Sequence, residues 1–132
     1  MTIAIAYWCI LIAALLPYAL AGIAKTSAPG YNNRNPRAWL ARQTGNYRLQ
    51  RAADAHLTAF EAVPPFAAGV LMAQAAGVDG ERIAMLALGF VAMRIAHGAF
   101  YLADRPLARS LAWLGGFIAV MALMVMAALR VA

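Results

Sequence analysis

The stretch RIAHGAFYLADRPLARS, Arg94 to Ser110, puts an arginine and a histidine inside an apolar run. The segment that carries it, residues 83–103, holds eight strongly apolar residues: Ile83, Leu86, Leu88, Phe90, Val91, Ile95, Phe100 and Leu102. At roughly −0.3 to −0.6 kcal/mol each they favour membrane insertion by about 2 to 5 kcal/mol, against a cost of about 2.5 to 3.5 for a central arginine. The segment inserts by a narrow margin. Arg94 is too near its middle to reach an interface easily, so a partner inside the protein is expected. Arg94, His97 and Tyr101 follow at i, i+3 and i+7, which places them on one helix face, and that face is turned away from lipid.

The rest of the chain agrees with a bilayer as solvent. Its 132 residues are 64% hydrophobic and 12% charged, with a mean hydropathy of +0.69, well outside the range of soluble domains. Spanning about 30 Å of hydrocarbon takes about 20 helical residues, and four segments qualify: approximately 2–24, 52–76, 83–103 and 110–129. The predicted fold is all-α, a single integral membrane domain of four helices. The first segment has no basic residues before it and an apolar run longer than a signal peptide's, so it reads as a retained anchor. The single cysteine, Cys9, has no partner for a disulfide, and no His or Cys cluster offers a metal site.

A net charge of +6 and a pI near 10.3 would suggest nucleic acid in a soluble protein. Here the charges sort by loop. The segment 25–51 holds Lys25, Arg34, Arg37, Arg42, Arg48 and Arg51, and the turn near 104–109 adds Arg105 and Arg109, whereas the opposite side has only Arg82 and Arg130. By the positive-inside rule the two basic loops face the cytoplasm and both termini lie away from it. Loop 25–51, broken by Pro29, Gly30, Pro36 and Gly45, reads as irregular with at most a short helix around Ala38 to Gln43, positioned to touch anionic lipid. Tyr7, Trp8, Tyr31, Trp39 and Trp113 fall near interfaces, where amphipathic rings anchor.

The second segment carries its own polar stripe: Arg51, Asp54, Thr58 and Glu61 recur at intervals of three, four and three. Glu61 is the natural partner of Arg94, and His56 points to nearly the opposite side. Such a pair can serve only to fix helix register, since desolvation offsets most of its attraction. Ionisable groups within a membrane are more often functional, and these stripes lead towards a basic mouth suited to an anionic ligand. Pro64 and Pro65 predict a kink just past Glu61. A small four-helix drug exporter with Glu61 as its proton-coupled carboxylate is disfavoured, because Arg94 would repel a cationic drug.

AHLTAFEAVPPF (residues 55–66), RIAHGAFY (94–101) and the pair Arg109-Ser110 resemble the MAPEG superfamily, the membrane-associated proteins in eicosanoid and glutathione metabolism, in a bacterial-type form. The resemblance implies a homotrimer of four-helix subunits in the bacterial inner membrane, with glutathione as cosubstrate bound between neighbouring subunits near the cytoplasmic side. It implies ligand-binding roles for Arg51, Glu61, Arg94, His97 and Tyr101, and catalytic roles for Arg109 and Ser110, which in enzymes of the family lie beside the glutathione sulfur. A guanidinium and a hydroxyl there favour the thiolate, the nucleophilic form. The function implied is glutathione transfer or peroxidation on lipophilic small molecules. The family commonly reads Arg-x-x-Arg-Ala-His-x-Asn-x-x-Glu on helix two; this chain has Asp54 for the second Arg and Thr58 for the Asn. A carboxylate repels glutathione's own carboxylates, and a hydroxyl does not replace an amide. The alternative is therefore a non-catalytic protein of the same fold that binds a lipid or a partner protein.

Single cysteines introduced in segment 25–51 and next to Arg105 are expected to resist a membrane-impermeant thiol reagent in intact cells and to react once the membrane is opened. Labelling from outside would refute the topology.

Overall fold

The computed structural model describes residues 2–132. Helix makes up 82% of the chain and no strand occurs among the described residues, so most backbone polar groups are satisfied within their own helix, as hydrocarbon requires. The order is α1 (Ile3–Thr26), α2 (Pro36–Ala41), α3 (Tyr47–Ala75), α4 (Gly80–Leu102) and α5 (Pro106–Val131). By length and composition α1, α4 and α5 suffice to cross a membrane. At 29 residues α3 is the longest, but Arg48, Arg51, Asp54 and Glu61 along it set it apart from those three.

The helices start where capping chemistry puts them. The expected start of the second long helix at residue 52 moves back to Tyr47, because the Asn46 side chain accepts a hydrogen bond from Leu49 N at 3.1 Å. Its amide also donates to Ser27 O at 3.1 Å, tying the end of α1 to the start of α3. Arg48 and Arg51 therefore belong to α3 and not to the loop. Similarly, α5 starts at Pro106 instead of Ser110, with proline at its first turn, where its missing N–H is not needed. The short helix expected around residues 38–43 is α2, shifted to Pro36–Ala41 by Pro36 at its start. Through Pro64 and Pro65 α3 continues without a break.

Both tight turns have the same closing geometry. After α3, Gly77 is left-handed (φ 85°), and Val78 N donates to Ala73 O while Gly77 N donates to Gln74 O. After α4, Asp104 takes the left-handed place (φ 57°), with Arg105 N on Phe100 O and Asp104 N on Tyr101 O. These double bonds satisfy the last carbonyls of each helix and reverse the chain within a few residues. Asp tolerates the conformation better than most residues that bear a Cβ.

The N-terminus, the α3–α4 turn and the end of α5 gather at one end: an added Cβ at Gly80 would lie 3.8 Å from Ile3 N, and one at Gly77 would lie 3.9 Å from Arg130 Nε. The basic segment, α2 and the α4–α5 turn gather at the other. Between them α3 packs against α1, α4 and α5, and α4 also contacts α1 and α5. The core lies in the half next to the termini. Phe66 of α3 stacks on Phe90 of α4 at 3.9 Å between centroids, surrounded by small and branched residues such as Ala6, Ala13, Val70, Ile83, Ala87 and Leu123. The buried stripes of α1 and α5 consist largely of Ala, Gly and Cys, which lets backbones approach where packing, not hydrophobicity, holds helices together. On the outside, Trp8, Leu15, Met85, Ile118 and Leu129 are all exposed, as a surface solvated by lipid allows.

Gly69 is a close approach of α3 to α5, where an added Cβ would meet Leu123 Cβ at 3.3 Å. Gly69→Leu is expected to separate these helices and destabilise the fold by about 1 to 3 kcal/mol or more, read as a lower midpoint of thermal unfolding in detergent. Gly89→Leu, at an exposed position where an added Cβ meets nothing within 4 Å, is the control expected to leave the midpoint near the parent value.

Candidate functional site

The face of α4 that supplies core residues at Ile83, Ala87 and Phe90 continues, without changing side, into Arg94 and His97. Both are only 3% exposed. The sequence stripe is thus turned inward. Its surroundings are two adjoining cavities between α3, α4 and α5. The deeper one, of about 290 Å³, is lined by Thr58, Glu61 and Pro65 of α3, Phe90 and Arg94 of α4, and Trp113, Gly116 and Phe117 of α5, among others. The second, of about 270 Å³, is lined by Thr58, His97, Tyr101, Arg109, Ser110 and Trp113. Thr58 and Trp113 border both, so the cavities form one strip that runs from mid-bundle towards the basic end.

Of the seven expected site residues, six line this strip: Glu61 and Arg94 the deep part, His97, Tyr101, Arg109 and Ser110 the mouth. Arg51 lines neither, although it is half-buried and its Nε lacks a hydrogen-bond partner. At the mouth the Arg109 guanidinium lies over the Tyr101 ring, 4.6 Å from its centroid, a cation–π contact that holds the charge in place. The Tyr101 ring meets His97 edge-on at 5.6 Å. Arg109 reaches Tyr101 because the Asp104 turn starts α5 close to the end of α4.

Two expectations need correction. The direct Glu61–Arg94 pair is not closed: Arg94 Nε and Nη2 have no partner, while Glu61 is exposed on α3 and shares only the cavity with it. Asp54 does not join the strip either. It lines a separate cavity with Arg37, Gln50 and His56, towards α2. Thr58 does lie in the strip, but its hydroxyl donates to Asp54 O at 3.1 Å, one turn back on its own helix.

The most informative atoms are the unsatisfied ones. Arg94 Nε and Nη2 and His97 Nδ1 are buried without hydrogen-bond partners, and leaving such groups unpaired is costly. Arg94 in particular presents a guanidinium fork matched to a planar carboxylate. The strip is thus cationic and donor-rich at the mouth, carries one carboxylate in its deep part, and is walled with aromatic rings. Trp113, read from sequence as an interface anchor, is a wall of both cavities; its position three residues past Ser110 was the available signal, because it puts the two on one face. Gly116, one turn further, packs against Arg94: an added Cβ there would sit at ordinary contact distance, 3.6 Å, from Arg94 Cδ.

Helices fit to cross a bilayer, with a buried arginine and histidine facing an open strip between them, define an integral membrane protein with a polar site among its helices. The model of the MAPEG family matches residues 5–129 of the chain, and the protein belongs to that family. No curated protein and no solved structure matches it.

Proposed function

We propose that this MAPEG protein is a homotrimer in the bacterial inner membrane, with its basic end in the cytoplasm, that binds glutathione in the strip between α3, α4 and α5 and transfers its thiolate to lipophilic electrophiles or uses it to reduce peroxides. The observation that carries this reading is the set of orphaned nitrogens on Arg94 and His97 in the strip that Glu61 and Arg109 also line. Glutathione has two carboxylates, one ammonium group and a thiol. Arg94, with His97 beside it, complements a carboxylate, Glu61 the ammonium, and Arg109 with Ser110 the sulfur. Held next to a guanidinium the thiol ionises more readily, releasing its proton to solvent at the open mouth. The thiolate then attacks an electrophilic carbon, forming the C–S bond as the leaving group departs with its electron pair.

Solvent physics supports association of copies, and the number three is what the family resemblance implies. In a single chain Asp54 and Glu61 are exposed along α3, and a carboxylate facing hydrocarbon is costly. Neighbouring copies packed along α3 would remove that cost and bring a second subunit to the open side of the strip. A non-catalytic reading, with a lipid or partner protein in the same groove, draws support from one observation: Thr58 commits its hydroxyl to its own helix, where the family's common Asn offers an amide to a ligand.

Native mass spectrometry in mild detergent is expected to give three chains per particle, and a stable monomer or dimer would remove the intersubunit site. Arg109→Ala is expected to lower conjugation of an aryl halide by about tenfold or more with binding largely kept, because its contact serves the thiolate. Glu61→Gln is expected to weaken glutathione binding by about tenfold, as a charge-assisted contact becomes a neutral one. Calorimetric titration and the ultraviolet absorbance of the bound thiolate separate the two effects. No thiolate signal and no turnover at millimolar glutathione would favour the non-catalytic reading.

A further inference from the structure

A second recess lies at the basic end, on the side of α3 away from the strip. It has a volume of about 280 Å³ and is walled by α1, α2, α3 and the segment between α1 and α2. Six of its residues matter: Tyr18 and Lys25 from α1, Tyr31 from the connecting segment, Arg37 and Trp39 from α2, and His56 from α3. The rings are organised. Tyr31 meets Trp39 edge-on at 5.2 Å, Lys25 Nζ lies 5.0 Å from the Tyr31 centroid, and Trp39, at 7% exposure, is the one buried residue of α2. No carboxylate lines the recess. Asp54 lies in the neighbouring cavity that also borders Arg37 and His56.

We infer that this recess binds the headgroup of an anionic phospholipid, with Lys25 and Arg37 on the phosphate and Trp39, Tyr31 and Tyr18 against the glycerol and upper acyl region. The position selects a lipid over a soluble anion. Apart from Lys25, α1 carries no charge between Ile3 and Thr26, so Lys25 marks the level at which hydrocarbon ends, while Tyr18, about 10 Å deeper at 1.5 Å per residue, opens the recess towards the chains. The apolar remainder of the wall would be idle around a free phosphate. A ring-lined slot also differs from a basic loop that merely hovers over charged lipid, because it offers one site per chain and orients its occupant. The inference does not depend on the glutathione reading, since the two sites share no residue.

The test is native mass spectrometry of the whole protein, moved from detergent into micelles doped with phosphatidylglycerol or phosphatidylcholine. One retained phosphatidylglycerol per chain is expected, with little phosphatidylcholine. Lys25→Gln with Arg37→Gln is expected to cut retention about tenfold or more. The matched pair Arg34→Gln with Arg42→Gln, which removes the same charge outside the recess, is expected to leave it near the parent level. Trp39→Leu tests the rings, with circular dichroism to confirm that it is folded. Equal loss in the two charge pairs would reduce the effect to general surface attraction and overturn the site. Displacement of the lipid by millimolar inorganic phosphate or glycerol phosphate would overturn it as well, in favour of a soluble anion.

Discussion

Much of this structure answers to one guanidinium held in a helix that crosses hydrocarbon. Arg94 is almost wholly buried, so the helices around it must leave room for its stem and surround its head with polarity. Gly116 of α5 lies against the stem. Glu61, His97 and Thr58 supply the polarity from two helices. Two of its nitrogens still face no acceptor. The desolvation cost of this cation has already been met in folding, which is the physical ground for proposing an anionic ligand beside it.

The sequence made the membrane helices legible because their signal is a bulk property, the free energy of transferring about 20 residues. It made the α4 stripe legible because azimuth on one helix follows from spacing alone. Where the reading failed, the missing information lay between helices. Spacing puts Glu61 on a face and Arg94 on a face, but their distance depends on how α3 and α4 are rotated about each other, which packing of Phe66 on Phe90 and of Gly69 on Leu123 decides. Asp54 shows the same limit: one turn from Thr58 by count, it still falls on the α2 side of the boundary between two cavities. The helix starts moved for a more local reason, the caps at Asn46 and Pro106, whose residues were visible but lay among charges that hydropathy counts as loop.

Charge on α3 separates it from the other long helices. The same residues that remove it from the class of self-sufficient spans, Arg51 and Glu61, are among those implied to hold a ligand. It contacts α1, α4 and α5, yet Asp54 and Glu61 stay exposed on it, so the other helices of one chain solvate its polar face only in part.

The Phe66–Phe90 stack divides the molecule into two compartments. Phe90 belongs to the apolar core and is also a wall of the deep cavity; beyond it towards the termini the helices adhere mainly through small and branched side chains, joined by a hydrogen bond that the Tyr7 hydroxyl of α1 donates to the Gln74 side chain of α3. None of the seven expected site residues, nor Asp54 or Thr58, belongs to the apolar cluster around Phe66 and Phe90, so one set of side chains holds the scaffold and another lends the strip its polarity.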